Sequence, residues 1–203
     1  MTRPSRASQT SHASHASRTS RREQLLALSA GLFAERGFAA VTVDDIGAAA
    51  GISGPALYHH FHSKDALLGE MLVDISERLL QSARVTIAAT ADRFPALDLL
   101  IANHVEFAVD NRALITVHFR ELVNAPDADR VTVRRLQGRY VEEWVEVLAR
   151  GRDEPIDRRM LRAAVHAVLG LINSTPFSTR LARDEMAVLL TAMAHRALAD
   201  GQI

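Results

Sequence analysis

The run Tyr58-His59-His60-Phe61, entered through Ser53-Gly54-Pro55-Ala56 and followed by Lys64, gathers groups suited to phosphates and base edges. Ser53 and His59 can exchange hydrogen bonds with bases, whereas Pro55 and Ala56 offer only apolar contact, for example to a thymine methyl. Leu57 and Phe61 lie one helical turn apart and point inward together. Gly54, Pro55, Ala56, Tyr58, His59 and His60 are thereby left on other faces. The cluster His59, His60 and His62 diverges around a helix axis, so no metal is expected there. Such chemistry needs a small rigid helix held out from the body, which is the shape of a helix-turn-helix presented to the DNA major groove.

The flanking residues build that helix. Thr42 with Asp45 three positions on is a variant capping box, opening a helix whose Val43, Ile46 and Ala50 face a core. Gly51 can take the left-handed conformation that ends it. Ser53 is a suitable N-cap for the next helix, with Pro55 tolerated in its first turn. Ser63 then caps a long helix with Asp65 in its first turn.

The pattern Thr42-x-x-x-Ile46-x-x-x-Ala50-Gly51-Ile52-Ser53-x-x-x-Leu57-Tyr58-x-His60-Phe61-x-x-Lys64-x-x-Leu67-Leu68 resembles the TetR family of bacterial transcriptional regulators. The preceding helix, ending in Leu32-Phe33-Ala34-Glu35-Arg36-Gly37-Phe38, fits as well. The resemblance implies an all-α fold of about nine helices, three for DNA and six for dimerisation and effector binding. It also implies that the helix from Ser53 enters the major groove with Ser53, Gly54, Pro55, Ala56 and His59 at the bases. Thr42, Tyr58, His60 and Lys64 match positions that hold phosphates, so Lys64→Ala is expected to weaken binding at every sequence. Members of the family with arginine, glutamine or threonine on this helix differ here, which gives DNA shape a larger share of the specificity. One reading helix covers few base pairs, so a symmetric homodimer on an inverted-repeat operator in double-stranded DNA is expected.

The totals agree. The chain has 203 residues, 48% of them hydrophobic, enough for a proper core. It has no cysteine, which excludes disulfides, thiol nucleophiles and cysteine-ligated zinc and fits a reducing cytoplasm. No apolar run is long enough for a bilayer, and the N-terminus has no apolar signal core, so neither a membrane nor export is expected. Residues 1–64 hold seven basic and four acidic side chains, against seventeen and twenty in 65–203, so the basic excess sits with the DNA reader. No phosphate-binding glycine loop, HExxH or nucleophile elbow is present, so no enzyme and no cofactor are expected.

Residues 1–20, rich in Ser, Ala, Thr, His and Arg, read as a disordered basic tail from which Arg18, with Arg21 and Arg22 beyond it, could reach phosphate. Residues 21–66 read as the DNA-binding domain and 67–203 as the effector and dimerisation domain. The periodicity predicts helices over 64–90, 92–110, 111–124, 127–150, 157–173 and 183–199.

Two apolar surfaces close the chain. Leu161, Val165, Val168, Leu169 and Ile172 form one, and Met186, Leu189, Leu190, Met193 and Ala197 the other. Periodicity alone leaves core packing within one subunit open beside a dimer interface; the resemblance favours the dimer. The family also implies an effector cavity among the fourth to eighth helices, for which His104, Phe107, His118, Phe119, Tyr140, Trp144, His166 and Asn173 are the lining candidates. An ordinary core role stays open for each. The expected activity is repression relieved by a small organic effector; activation, or a C-terminal half that binds a protein instead, stays open beside it.

Overall fold

The computed structural model describes residues 6–150, 157–178 and 181–199, with side chains from Arg21 onward to Leu198. The described residues form helices α1 (Arg6–Arg36), α2 (Val43–Ala50), α3 (Gly54–Leu57), α4 (Lys64–Ala88), α5 (Arg93–Asp110), α6 (Arg112–Glu121), α7 (Asp127–Ala149), α8 (Arg158–Ile172) and α9 (Arg183–Ala199), with no strand among them. Short 3-10 turns follow α6 at Leu122–Asn124 and α8 at Thr175–Phe177. The expected helix boundaries from residue 64 onward fall within a few residues of these.

α1 begins at Arg6, inside the stretch read as a disordered tail. Residues 5–30 contain neither glycine nor proline, so nothing local stops a helix from running back through them. The side chain of Arg18 lies outside the described residues.

Two cores organise the bundle. The first joins Leu25, Ala30 and Phe33 of α1, Ile46 of α2, Leu57 and Phe61 to Leu67, Leu68, Met71 and Leu72 of α4. Val117, Ala125 and Val133 also belong to it. The second is built from Leu80 and Ala83 of α4 with α5, α7, α8 and α9, around fully buried Trp144. A division at residue 66 would therefore cut the first core; the change of core falls inside α4, after Leu72. Burial of this apolar surface on both sides makes α4 a shared strut.

Local chemistry fixes the head. The Thr42–Asp45 capping box closes in both directions, with Asp45 N–H donating to Thr42 Oγ1 at 3.1 Å and Thr42 N–H to Asp45 Oδ2 at 2.8 Å. Gly51 sits at φ 66°, ends α2 and turns the chain into α3. Ser63 Oγ accepts from Ala66 N–H at 3.0 Å and starts α4.

Candidate functional site

α3 stands at the surface of the head. Ser53, Pro55, Tyr58 and His59 are exposed, Ala56 and His60 half-buried. Leu57 and Phe61 are the anchors that hold it, 1% and 2% exposed. Ser53 has the extended backbone of an N-cap, but its side chain makes no capping hydrogen bond. The helix does not use its hydroxyl, which leaves that group available to a base edge.

Gly54 is a correction. It is buried against α2, and a Cβ there would lie 1.9 Å from Asp44 Oδ1. A Cβ on Gly47 would lie 2.8 Å from the backbone nitrogen of Gly54. The two glycines let α2 and α3 cross at backbone contact, so Gly54 serves packing and not base contact.

The expected phosphate cations are also engaged within the head. Lys64 Nζ donates to the carbonyls of Phe38 and Val41, each at 2.8 Å, and lies 4.3 Å from the centre of the Phe38 ring. It ties the start of α4 to the loop between α1 and α2. Arg21 donates to Ala50 O at 2.5 Å, capping the end of α2. Arg22 pairs with Glu70, donates to the His60 carbonyl and lies over the Phe61 ring. Thr42 is exposed, yet its hydroxyl and N–H are used by Asp45, whose carboxyl those bonds hold below the usual range. An anion already sits at that helix end. The exposed Tyr58 and His59, with half-buried His60, remain on the surface.

Behind the head, the bundle holds a half-open cavity of about 260 Å³. It is lined by His104, Phe107, His118, Phe119, Tyr140, His166 and Asn173, all expected from the sequence, and by Ile75, Ser76, Leu79, Leu114, Ile115, Gln137, Val141, Leu169 and Gly170, which were missed. The missed ones are mostly aliphatic residues, which carry no signal that separates a cavity wall from a core. Trp144 is a correction: it is fully buried one layer back, its ring 6.1 Å from Tyr140 and 6.2 Å from His104. The Tyr140 hydroxyl meets His104 Nδ1 at 3.0 Å. Burial pushes His104 down to about 4, partly offset by Asn173 beside it, and pushes Tyr140 up. His118, packed against Gln137, is also lowered by burial. Both histidines are neutral at physiological pH.

The two terminal helices divide their apolar residues. Leu161, Val165, Val168 and Ile172 are almost wholly buried in the second core, with Met186 and Leu190. These were expected at a dimer interface and are corrected to intramolecular core, because α8 packs them against α7 and α9. Leu169 is half-buried at the cavity wall. Leu189 at 44% and Met193 at 41% stay exposed, as do Ala197, Val188 and Met160. α9 is thus apolar on two sides, one of which faces outward.

A head built on α2, α3 and the start of α4, carried by an all-α body with its own core and cavity, defines a helix-turn-helix DNA-binding regulator. Residues 25–71 match the model for bacterial regulatory proteins of the tetR family, and residues 91–177 match a tetracyclin repressor-like C-terminal domain. The HTH-type transcriptional repressor KstR2 of Mycobacterium tuberculosis is 36% identical over 136 residues, 66% of this chain and 67% of that one. KstR2 of Rhodococcus jostii is 34% identical over 131 residues, 64% of each chain. The structure of the ketosteroid transcriptional regulator KstR2 of M. tuberculosis superposes with a TM-score of 0.74 at 25% identity, covering 88% of this chain and 93% of that one. A TetR-family regulator from Bordetella parapertussis gives a TM-score of 0.76 at 22% identity over 89% and 95%. The chain belongs to the TetR family of bacterial regulatory proteins.

Proposed function

We propose that the chain is a transcriptional repressor that binds an inverted-repeat operator as a homodimer through α3 and leaves it when a small organic ligand fills the cavity. The observation that carries this reading is that α6 belongs to both halves. Its Ile115, His118 and Phe119 line the cavity, while Val117 lies in the core of the head. α4 has the same double membership: Ile75, Ser76 and Leu79 line the cavity, and Leu67 to Leu72 anchor the head. A ligand that pushes these walls apart moves both supports of α3. Packed interfaces switch between discrete arrangements, so a small displacement at the wall becomes a change in spacing between the two reading helices. Turning a 99:1 DNA-competent population into 1:99 needs about 5.5 kcal/mol of differential ligand binding.

The exposed apolar side of α9 supplies the dimer contact in this reading, and Leu189 and Met193 are its centre. The protein works in the cytoplasm, where the chromosome is; no described helix is long and apolar enough to cross a membrane. The relative named as a ketosteroid regulator supports an uncharged ring system as ligand, and a cavity lined without Lys, Arg, Asp or Glu suits one. The test is a mobility shift on the gene's own upstream DNA. A specific complex whose preference among operator variants changes in His59→Ala is expected; a variant with unaltered preference would remove α3 from the bases.

A further inference from the structure

At one end of the cavity the Asn173 side chain lies near enough to His104 to favour a proton on its ring, yet His104 Nε2 and Asn173 Oδ1 close no hydrogen bond with each other or with any other protein atom. His104 is 3% exposed, and its Nε2 has no hydrogen-bond partner; Asn173 Oδ1, buried on the same wall, has none either. The proton position on His104 follows from its neighbour. The Tyr140 hydroxyl lies 3.0 Å from His104 Nδ1, and the Trp144 indole nearby can only donate. In a buried site the phenol proton needs an acceptor, so Nδ1 accepts it and the imidazole proton sits on Nε2. The wall therefore offers an unpaired donor and an unpaired acceptor together. Among the residues that line the cavity there is no Lys, Arg, Asp or Glu. Buried polar groups left unpaired are costly, so a ligand that satisfies both gains over one that satisfies one.

We propose that the His104–Asn173 end of the cavity selects an uncharged ligand carrying a hydroxyl group, which accepts from His104 Nε2–H and donates to Asn173 Oδ1. A ketone would satisfy His104 and leave the Asn173 oxygen bare. A carboxylate would enter without a countercharge, because burial keeps His104 neutral. An ammonium would face the His104 N–H with no acceptor for its remaining protons. The proposal rests on reading the cavity as the effector site.

Trp144, the sole tryptophan, lies 6.2 Å from His104 and reports occupancy by its fluorescence. The full-length chain is titrated at neutral pH with adamantanol, adamantanone, adamantane carboxylate and adamantane, compact cages of one shape. Adamantanol is expected to bind about tenfold more tightly than adamantane, as one to two net hydrogen bonds give, with the ketone between them and the carboxylate weakest. In Asn173→Leu the advantage of the alcohol over the ketone should vanish, while the hydrocarbon, which no longer strands the Asn173 oxygen, binds no more weakly than to the parent chain. A ketone equal to the alcohol, a carboxylate that binds best, or an equal loss of all probes in the variant overturns the hydroxyl assignment and leaves the effector cavity standing. If no probe changes the Trp144 signal or the melting temperature, the cavity takes no organic ligand and both readings fall.

Discussion

At the scale of single residues, Lys64 and His104 show how tertiary contacts reassign a side chain. Lys64 reads in sequence as a phosphate anchor, yet its ammonium binds two carbonyls and an aromatic face within the head. Lys64→Ala should cost about 2 kcal/mol of stability in chemical denaturation, from lost charge-assisted hydrogen bonds and the cation–π contact. If those contacts are the whole of its role, the salt dependence of DNA binding should barely change. A flattened salt slope with unaltered stability would restore the phosphate role. His104 has a folded-state value near 4 against an ordinary 6.5. Above 6.5 neither state binds the proton; below it the unfolded chain binds more, so stability is lost as pH falls from about 6.5 towards 4, by about 3 kcal/mol at most. The lowered His118 adds in the same direction. Thermal melts across this window should show the loss, and His104→Gln should reduce it.

At the scale of elements, the helices were legible because their signals are local: caps at Thr42 and Ser63, the turn at Gly51 and the apolar period of each helix. What a helix touches is not local. Gly54 was assigned to base contact because it lies on the reading helix, and only the crossing of α2 and α3 shows it buried. Gly47 gave no sequence signal at all. A methyl on Gly47 would meet backbone atoms, Gly54 N at 2.8 Å and Ile52 O at 2.9 Å, which cannot rotate away. Gly47→Ala should therefore splay the two helices, cost about 1–3 kcal/mol and weaken DNA binding. Gly54→Ala meets first the movable carboxylate of Asp44 and should cost less. Denaturation midpoints of the two variants give the order; a reversed order would mean that the α2–α3 crossing is looser than the backbone contact implies.

At the scale of the whole molecule, the cavity wall was legible in its polar members and in Phe107, Phe119 and Tyr140, whereas the apolar stripes of α8 and α9 did not show which of their residues face outward. Hydrophobic period names the apolar stripe of a helix without saying whether a neighbour in the same chain or a second copy covers it. Leu161 and Val165 prove internal, while Leu189 and Met193 remain outside. These two classes fail differently when changed. Leu161→Ala opens a hole in a core where the leucine is 0% exposed, and should lower stability by about 2–5 kcal/mol. Leu189→Glu combined with Met193→Glu leaves each subunit's core intact but puts charge on the outer face of α9, so the chain should sediment as a folded monomer. A single copy of α3 then reaches DNA without its tethered twin. Losing the second, effectively intramolecular contact should weaken operator binding by at least about a hundredfold. Sedimentation velocity together with a mobility shift on the same sample decides the point. A double variant that stays dimeric would place the subunit contact elsewhere, and a monomer that binds as tightly as the parent chain would remove the requirement for two reading helices.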